Sequence, residues 1–267
     1  MIKIKTKEEI EIMSRGGKVL SEMLDRLSKS VRPGITTKEI DKLSGELVLF
    51  YAEKERDAKI KPAFLGYGGY PANICLSIND EVVHGLPSDR KLNEGEIIGL
   101  DMGIKYHDFF LDSAITVPVL GDLSYKNWSG KNHVLHKLLE VTKEALNAGI
   151  KQARVGNRIG DIGHAVQAVI ERNKFGVIRE LVGHGIGREL HEEPQVPNFG
   201  RTGDGVELKE GMVIAIEPMV AVGDWQVKIA KDGFTYKTKD GSMSAHFEHT
   251  VAITKDGPIV LTSNKFC

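Results

Sequence analysis

Residues 92–102 read LNEGEIIGLDM, and residues 208–219 read LKEGMVIAIEPM. Each holds a Glu-Gly turn and then an apolar run that ends on a carboxylate. Leu92, Glu94, Gly95 and Asp101 lie 116 residues before Leu208, Glu210, Gly211 and Glu217. Such short patterns also recur by chance, but a repeated order of helices and strands around them points to one supersecondary unit used twice. The flanking segments agree. Thr6 with Glu9 and Thr36 with Glu39 are capping-box patterns ahead of two amphipathic runs, Ile10 to Val31 and Ile40 to Leu47. Short apolar runs then predict antiparallel strands at ICLSI, EVVHGL, EIIGLDMGI and FFLDSAITVPVL. Helical periodicity returns over roughly 129–153 and 158–174, followed by strands at RELVGH, MVIAIEPMVAV, TYKTK and AHFEHTVAIT. That order predicts a single α+β domain, residues 1–267, built from two pseudo-equivalent halves at about 1–122 and 123–267.

The chain has 267 residues, 41% hydrophobic and 27% charged, which suits one globular core. A formal net charge of −1 provides no global field for nucleic acid or an anionic membrane, and neither is expected as a partner. The basic stretch Lys3 to Lys7 is expected to be solvated surface. No apolar run approaches the ~18 residues of a membrane span. The charged start, MIKIKTKEEIEIM, lacks the apolar centre of a signal peptide. Cys75 and Cys267 are too few for a disulfide framework or a thiolate zinc site, so a cytoplasmic setting is expected.

Four predicted strands carry an acid inside an apolar run: Asp101 in IIGLDMGI, Asp112 in FFLDSAITV, Glu217 in MVIAIEPMV and Glu248 in AHFEHTVAI. A buried carboxylate must be paired or protonated, and no Lys or Arg lies inside these segments. Any one of them is explained equally well by facing solvent. All four, two of them closing the repeated unit, point to one site. Four gathered negative charges call for about four positive ones, which two divalent cations supply. Oxygen ligands with an imidazole suit Mn²⁺, Fe²⁺, Co²⁺ or Zn²⁺. Of the nine histidines, His107, His133, His136 and His164 are expected at the surface. His246 and His249 flank Glu248 in one strand and are expected on the opposite face from it. The candidate imidazoles are His84, which interrupts an apolar strand, and His184 and His191 in VGHGIGRELHEEP, residues 182–194. A phosphate cradle is the alternative reading of GHGIG, but it needs a helix after the turn, and Glu192, Glu193, Pro194 and Pro197 suit none.

In order and spacing, CLSINDEVVHGLP, GLDMG with FFLDSA, GHGIGRELHEEP, GMVIAIEPMV and SAHFEHT resemble the motif set of the type I methionine aminopeptidases, over about residues 6–262. The resemblance implies the pita-bread fold, a pseudo-two-fold antiparallel sheet with helices packed on its outer face. It implies a monomeric metallo-exopeptidase that removes the initiator methionine from peptides and from nascent chains, with the ribosome as a setting. Carried over motif by motif, two divalent ions (cobalt, manganese, iron or zinc) would be held by Asp101, Asp112, His184, Glu217 and Glu248. Asp112 and Glu248 would bridge them. Glu217 would also act as general base. His84 and His191 would contact substrate without binding metal, His191 at the oxyanion and His84 at the scissile amide nitrogen. The methionine side chain would lie among Phe64, Tyr67, Tyr70, Cys75, Leu190 and Phe234. Leu190 stands where the family usually has an aromatic residue, and Phe234 where it usually has Trp. Residues 222–233 read as an insertion that offers Trp225 as a competing wall.

Three rivals share parts of this pattern. Prolidase-type peptidases use a similar metal set but usually carry a large extra N-terminal domain, and only about 60 residues precede the first strand here. Type II methionine aminopeptidases hold a helical insertion between the positions of His191 and Glu217, which are separated here by 25 residues. A pita-bread binding module that has lost catalysis has no need of the full ligand set.

Overall fold

The computed structural model describes residues 2–55, 59–121 and 125–263. The expected boundary between halves at 122–123 and Cys267 lie outside the described residues. The chain opens with helices α1 (Lys7–Ser30) and α2 (Thr37–Lys54). Strands β1 (Ile60–Pro62), β2 (Cys75–Ile78), β3 (Glu81–Val83), β4 (Ile97–Tyr106) and β5 (Phe109–Pro118) follow. Next come helices α3 (Tyr125–Lys131), α4 (His133–Gln152) and α5 (Ile159–Arg172), then β6 (Gly176–Val177), β7 (Gly183–Gly185) and β8 (Glu192–Val196). The remaining strands are β9 (Val213–Ile216), β10 (Met219–Ala221), β11 (Val227–Ile229), β12 (Tyr236–Thr238), β13 (Ser244–His246), β14 (Glu248–Thr254) and β15 (Gly257–Val260).

Both expected capping boxes form. Thr6 Oγ1 accepts from the Glu9 amide at 3.2 Å and the Glu9 carboxylate accepts from the Thr6 amide at 2.9 Å; Thr36 and Glu39 repeat this at 3.2 and 2.8 Å. Each box satisfies amides that the first helical turn leaves without partners. A nine-stranded antiparallel sheet runs in the order β1-β4-β5-β14-β9-β7-β8, with β2 beside β4 and β15 beside β14. Two three-stranded sheets, β13-β10-β6 and β11-β12-β3, complete the strands. Helix α1 packs so tightly on β4 and β5 that a side chain at Gly16 would strike Tyr106 and Leu111. On the other half, Val251 and Ile253 of β14 share a core with Leu139, Leu146, Ile162 and Val166 of α4 and α5. Successive strand residues face opposite ways, so Asp112, beside Leu111 in β5, points away from the helices, and so does Glu248 in β14.

The two copies of the repeat make the same hydrogen bonds. The Gly95 amide donates to the Val119 carbonyl at 3.0 Å and the Val119 amide to Glu96 at 2.8 Å; Gly211, Ile253 and Met212 repeat the pair at 2.9 and 2.8 Å. Leu92 is bracketed by Gly34 and Ile35, at 2.8 and 2.9 Å, as Leu208 is by Gly156 and Asn157, at 3.0 and 2.7 Å. Gly95 and Gly211 have φ of 92° and 87°, a left-handed turn that glycine adopts without steric cost.

The sequence pattern and the structure part in several places. MVIAIEPMVAV is two strands, β9 and β10, broken at Glu217 and Pro218; a proline has no amide to continue the ladder. AHFEHTVAIT is likewise two strands in different sheets, β13 and β14, with Phe247 at the break. Residues 192–196 form β8, which the acidic, proline-containing pattern did not suggest. Lys5 is buried rather than solvated: its ammonium lies 2.7 Å from Glu192, and the two side chains are 4% and 3% exposed.

Candidate metal centre

Register gathers the acids. Asp101 in β4 pairs with Ala114 in β5, and Ala114 pairs with Glu248 in β14, so the two acids flank one small residue on the same face. Asp112 lies two residues from Ala114 and so shares that face. Glu217 enters from the break after β9. His184 enters from the middle of β7. Gly183 and Gly185 let it do so, since a β-carbon at either would overlap a backbone carbonyl, of Ala215 or Glu193 respectively. The glycine-rich stretch is thus a strand leading by a short loop into another strand, with no helix to receive a phosphate.

Ligand-capable atoms of Asp112, His184 and Glu248 all lie within 4.8 Å of one another. Glu217 Oε1 is 3.6 Å from His184 Nε2. His184 Nδ1 lies 2.9 Å from the Gly185 carbonyl oxygen, which can only accept, so Nδ1 carries the proton and Nε2 offers its lone pair to the cluster. Asp101, Asp112, His184 and Glu248 are at most 9% exposed, and no Lys or Arg pairs with any of the four carboxylates among the described residues. Asp101 Oδ1 and Glu248 Oε1 are buried without a hydrogen-bond partner. Burial, and then the neighbouring Asp112, push the Asp101 and Glu248 carboxyls well above the ordinary range; burial also raises Asp112 and Glu217. Burial lowers His184 to about 3, so its ring is neutral. Orphaned carboxylate oxygens around a neutral imidazole lone pair are what a divalent cation satisfies, and this donor set fits one.

Two cavities meet at this cluster. One, of about 220 Å³, is lined by Phe64, Tyr67, Tyr70, Cys75, Leu190 and Phe234, with Asp101, Asp112, Glu217 and Glu248 at its base. It contains every residue expected to receive a side chain, and its volume suits one side chain rather than a larger ligand. Tyr70 and Phe234 meet edge to face with ring centroids 5.5 Å apart, and Tyr70 Oη donates to the Gly85 carbonyl at 2.8 Å. Cys75, buried in β2 opposite Asp101, has its thiol pushed up by burial. Trp225 is absent from the lining; its ring lies 5.6 Å from the Arg179 guanidinium. The second cavity, about 610 Å³, shares His84, His191 and Glu217 with the first and is bounded further by Lys3, Glu189 and Glu193. His84 and His191 are solvent-exposed at this junction, yet the protein crowding each ring favours its neutral form. His191 Nδ1 is 2.8 Å from Tyr67 Oη, and its ring packs on His184 at 4.3 Å between centroids.

The other histidines divide. His133 and His164 are exposed, and His107 and His136 partly buried. His249 bonds Thr262 Oγ1 at 3.0 Å. His246 does not turn away from the acids: its Nε2 lies 3.6 Å from Glu217 Oε2. Side chains do not simply alternate here, because Phe247 separates His246 and Glu248 into different strands. One signal in the sequence marks it. Asp112 and His246 are each followed four residues later by a threonine, Thr116 and Thr250, and aligning the halves on those threonines puts His246 in the place of Asp112.

With this geometry established, the likeness to known proteins is direct. The profile of metallopeptidase family M24 matches residues 11–255. The chain belongs to metallopeptidase family M24. Its relatives within M24 include the methionine aminopeptidase of Clostridium acetobutylicum, 45% identical over 263 residues that cover 98% of this chain and 99% of that protein. Methionine aminopeptidase 1 of Bacillus subtilis is 44% identical over 262 residues, with 98% and 99% covered. The crystal structure of methionine aminopeptidase from Rickettsia prowazekii superposes with a TM-score of 0.90 at 37% identity, covering 98% of this chain and all of that one. The M24 architecture, a curled antiparallel sheet with helices on one face, is the pita-bread fold. The prolidase of Pyrococcus horikoshii shares that fold, with a TM-score of 0.71 at 24% identity, but this chain spans only 64% of its length.

Proposed function

We infer that this protein removes the N-terminal methionine from peptides and nascent chains by metal-assisted hydrolysis of the first peptide bond. The observation that carries this reading is a set of four carboxylates, three of them buried and none paired with Lys or Arg among the described residues, beside a small cavity lined mainly by apolar residues. Near-full-length relatives named methionine aminopeptidase support it. Asp101, Asp112, His184, Glu217 and Glu248 would hold two divalent ions, of cobalt, manganese, iron or zinc, with Asp112 and Glu248 shared between them. When bound, such ions acidify water and polarise a carbonyl.

The chain's own groups do the rest. Glu217, at the junction of the cavities, takes a proton from the attacking water. Tyr67 donates to His191 Nδ1, which leaves Nε2–H free to donate to the carbonyl oxygen as negative charge builds there. His84, also at the junction, donates a hydrogen bond to the scissile nitrogen. Glu217 passes that nitrogen the proton it took from water as the C–N bond breaks. The small cavity takes the methionine side chain, and the larger one leads the remaining peptide away. The repeated hydrogen bonds support one domain of two halves that share the site. It would act as a monomer in the cytoplasm, meeting nascent chains at the ribosome. Among the described residues, no helix is long and apolar enough to cross a membrane.

The decisive experiment supplies metal-stripped protein with Met-Ala-Ser and with X-Pro peptides and restores each divalent ion in turn. Free methionine should appear only when metal is present. Cleavage confined to X-Pro bonds would favour a prolidase-type enzyme, and no cleavage a binding module. His191→Ala should retain metal and lose about 10²-fold in kcat, the scale of one oxyanion donor; an unchanged kcat removes that role.

A further inference from the structure

His246 is 3% exposed, and its Nε2 has no hydrogen-bond partner. That nitrogen faces Glu217 Oε2 at 3.6 Å, while Glu217 Oε1 stands 3.6 Å from His184 Nε2. Glu217 therefore lies between two imidazoles, with one oxygen toward each. Its backbone carbonyl accepts from Asn198 Nδ2 at 3.0 Å, but no hydrogen bond holds its carboxylate among the described residues. The residue sits at the break between β9 and β10, so no strand ladder fixes it locally.

His246 itself is held firmly. Thr116 Oγ1 donates to its carbonyl at 2.7 Å and accepts from its amide at 3.0 Å. Thr250 Oγ1 does the same for Asp112, at 2.8 and 3.1 Å. His246 is thus the counterpart of Asp112 across the pseudo-two-fold, delivered to the same cluster by the same device. Asp112 joins the group of ligand atoms with His184 and Glu248; His246 instead faces Glu217.

We propose that His246 is a positioning residue for Glu217: its Nε2–H donates to Oε2 and leaves Oε1 to share a cation with His184. The carboxylate selects the Nε2–H tautomer, and a closure of roughly 0.7 Å reaches the ~2.9 Å of a charge-assisted bond. Donors behind a metal-ligating carboxylate fix its orientation before the metal arrives. The inference rests on Glu217 being a metal ligand, as in the function proposed above.

The test measures Co²⁺ affinity by calorimetry, and kcat and KM on Met-Ala-Ser, for the native protein, His246→Leu, His246→Gln, Glu217→Gln and the Glu217→Gln/His246→Leu double variant. His246→Leu should bind Co²⁺ about 10–100-fold more weakly and lose kcat with little change in KM. His246→Gln keeps an N–H donor and should stay within about threefold of native. In the Glu217→Gln background, His246→Leu should change nothing further. If His246→Leu does not fold by circular dichroism, His246→Met carries the same expectations. Native-like affinity in the leucine variant, or equal losses in the leucine and glutamine variants, overturns the inference. Weakened binding in Glu217→Gln with none in His246→Leu overturns this inference alone, whereas native binding in Glu217→Gln overturns the ligand reading with it.

Discussion

Replacing Lys5 with Met should destabilise the protein strongly at neutral pH and much less in mild acid. Lys5 Nζ donates to Glu192 at 2.7 Å and to the Lys3 carbonyl at 3.2 Å. Burial lowers the Lys5 pKa, so at the lysine desolvation outweighs the attraction, whereas Lys5, the Glu189 amide and Lys3 hold the Glu192 carboxyl below its usual value. The two effects oppose and the pair adds little net stability. Removing one partner is different, because Glu192 is left charged in a site only 3% exposed. Lys3, 3.6 Å away, and the Arg188 and Glu189 amides compensate part of that charge, so protonation sets an upper limit on the cost. At pH 7, against an ordinary value of about 4.3, that costs about 3.7 kcal/mol at 1.36 kcal/mol per pH unit. At pH 5 the same step costs only about 1 kcal/mol. The sign follows from a folded-state pKa raised above the unfolded one: stability is lost as pH rises. At 2–4 °C per kcal/mol, Tm should fall by as much as roughly 7–15 °C at pH 7. Lys5→Met/Glu192→Gln removes both charges, while the glutamine oxygen still accepts from the Arg188 and Glu189 amides, as Glu192 does at 2.8 and 3.2 Å. It should recover to within about 1 kcal/mol of native. Thermal and urea unfolding of metal-free protein at both pH values tests this, metal being left out because it stabilises by mass action. A single variant as stable as native at pH 7, a defect independent of pH, or a double variant no better than the single would refute the reasoning.

Metal binding at pH 7 should release protons, and apparent affinity should climb as pH rises toward 8, because burial raises Asp112 and Glu217 to about 8; calorimetry in two buffers of different ionisation enthalpy reads the proton count directly. The same raised values mean that metal-free protein loses stability between pH 7 and 8, whereas His84, His184 and His246, with lowered pKa values, lose theirs only as pH falls below about 6.5. A Tm that rises between pH 7 and 8 would contradict this. Gly185→Ala forces a methyl group onto the Glu193 carbonyl and should cost more than the ~1–3 kcal/mol of ordinary overpacking while weakening metal binding through His184; unfolding and calorimetry would expose a harmless substitution. Phe234→Ala should lower kcat/KM for Met-Ala-Ser by about 10–100-fold, whereas Trp225→Ala, outside the cavity, should leave it within about twofold; the reverse ranking would make Trp225 the wall.

The oddity of the acids is legible in the sequence alone. Asp101, Asp112, Glu217 and Glu248 stand in apolar runs of sequence, and burying them demands either positive charge or protons whatever the fold. The capping boxes at Thr6 and Thr36 and the left-handed Gly95 and Gly211 are legible too, because helix starts and tight turns depend on residues only a few positions apart. His246 is misplaced by the sequence pattern because alternation assumes an unbroken strand, and nothing local marks Phe247 as a break. The motif resemblance places Phe64, Tyr67, Tyr70, Cys75, Leu190 and Phe234 in one cavity, whereas their spacing alone does not.

The sequence by itself carries the repeated turn and strand pattern, most of the helices and strands, and a set of acids whose burial calls for cations or protons. Only the tertiary structure decided that Ala114 seats Asp101 and Glu248 side by side, and that His246 faces Glu217. It also decided that Lys5 reaches Glu192 across 187 residues. Turn chemistry and periodicity act between near neighbours, whereas register between distant strands and the pairing of buried charges are set by packing the whole chain at once.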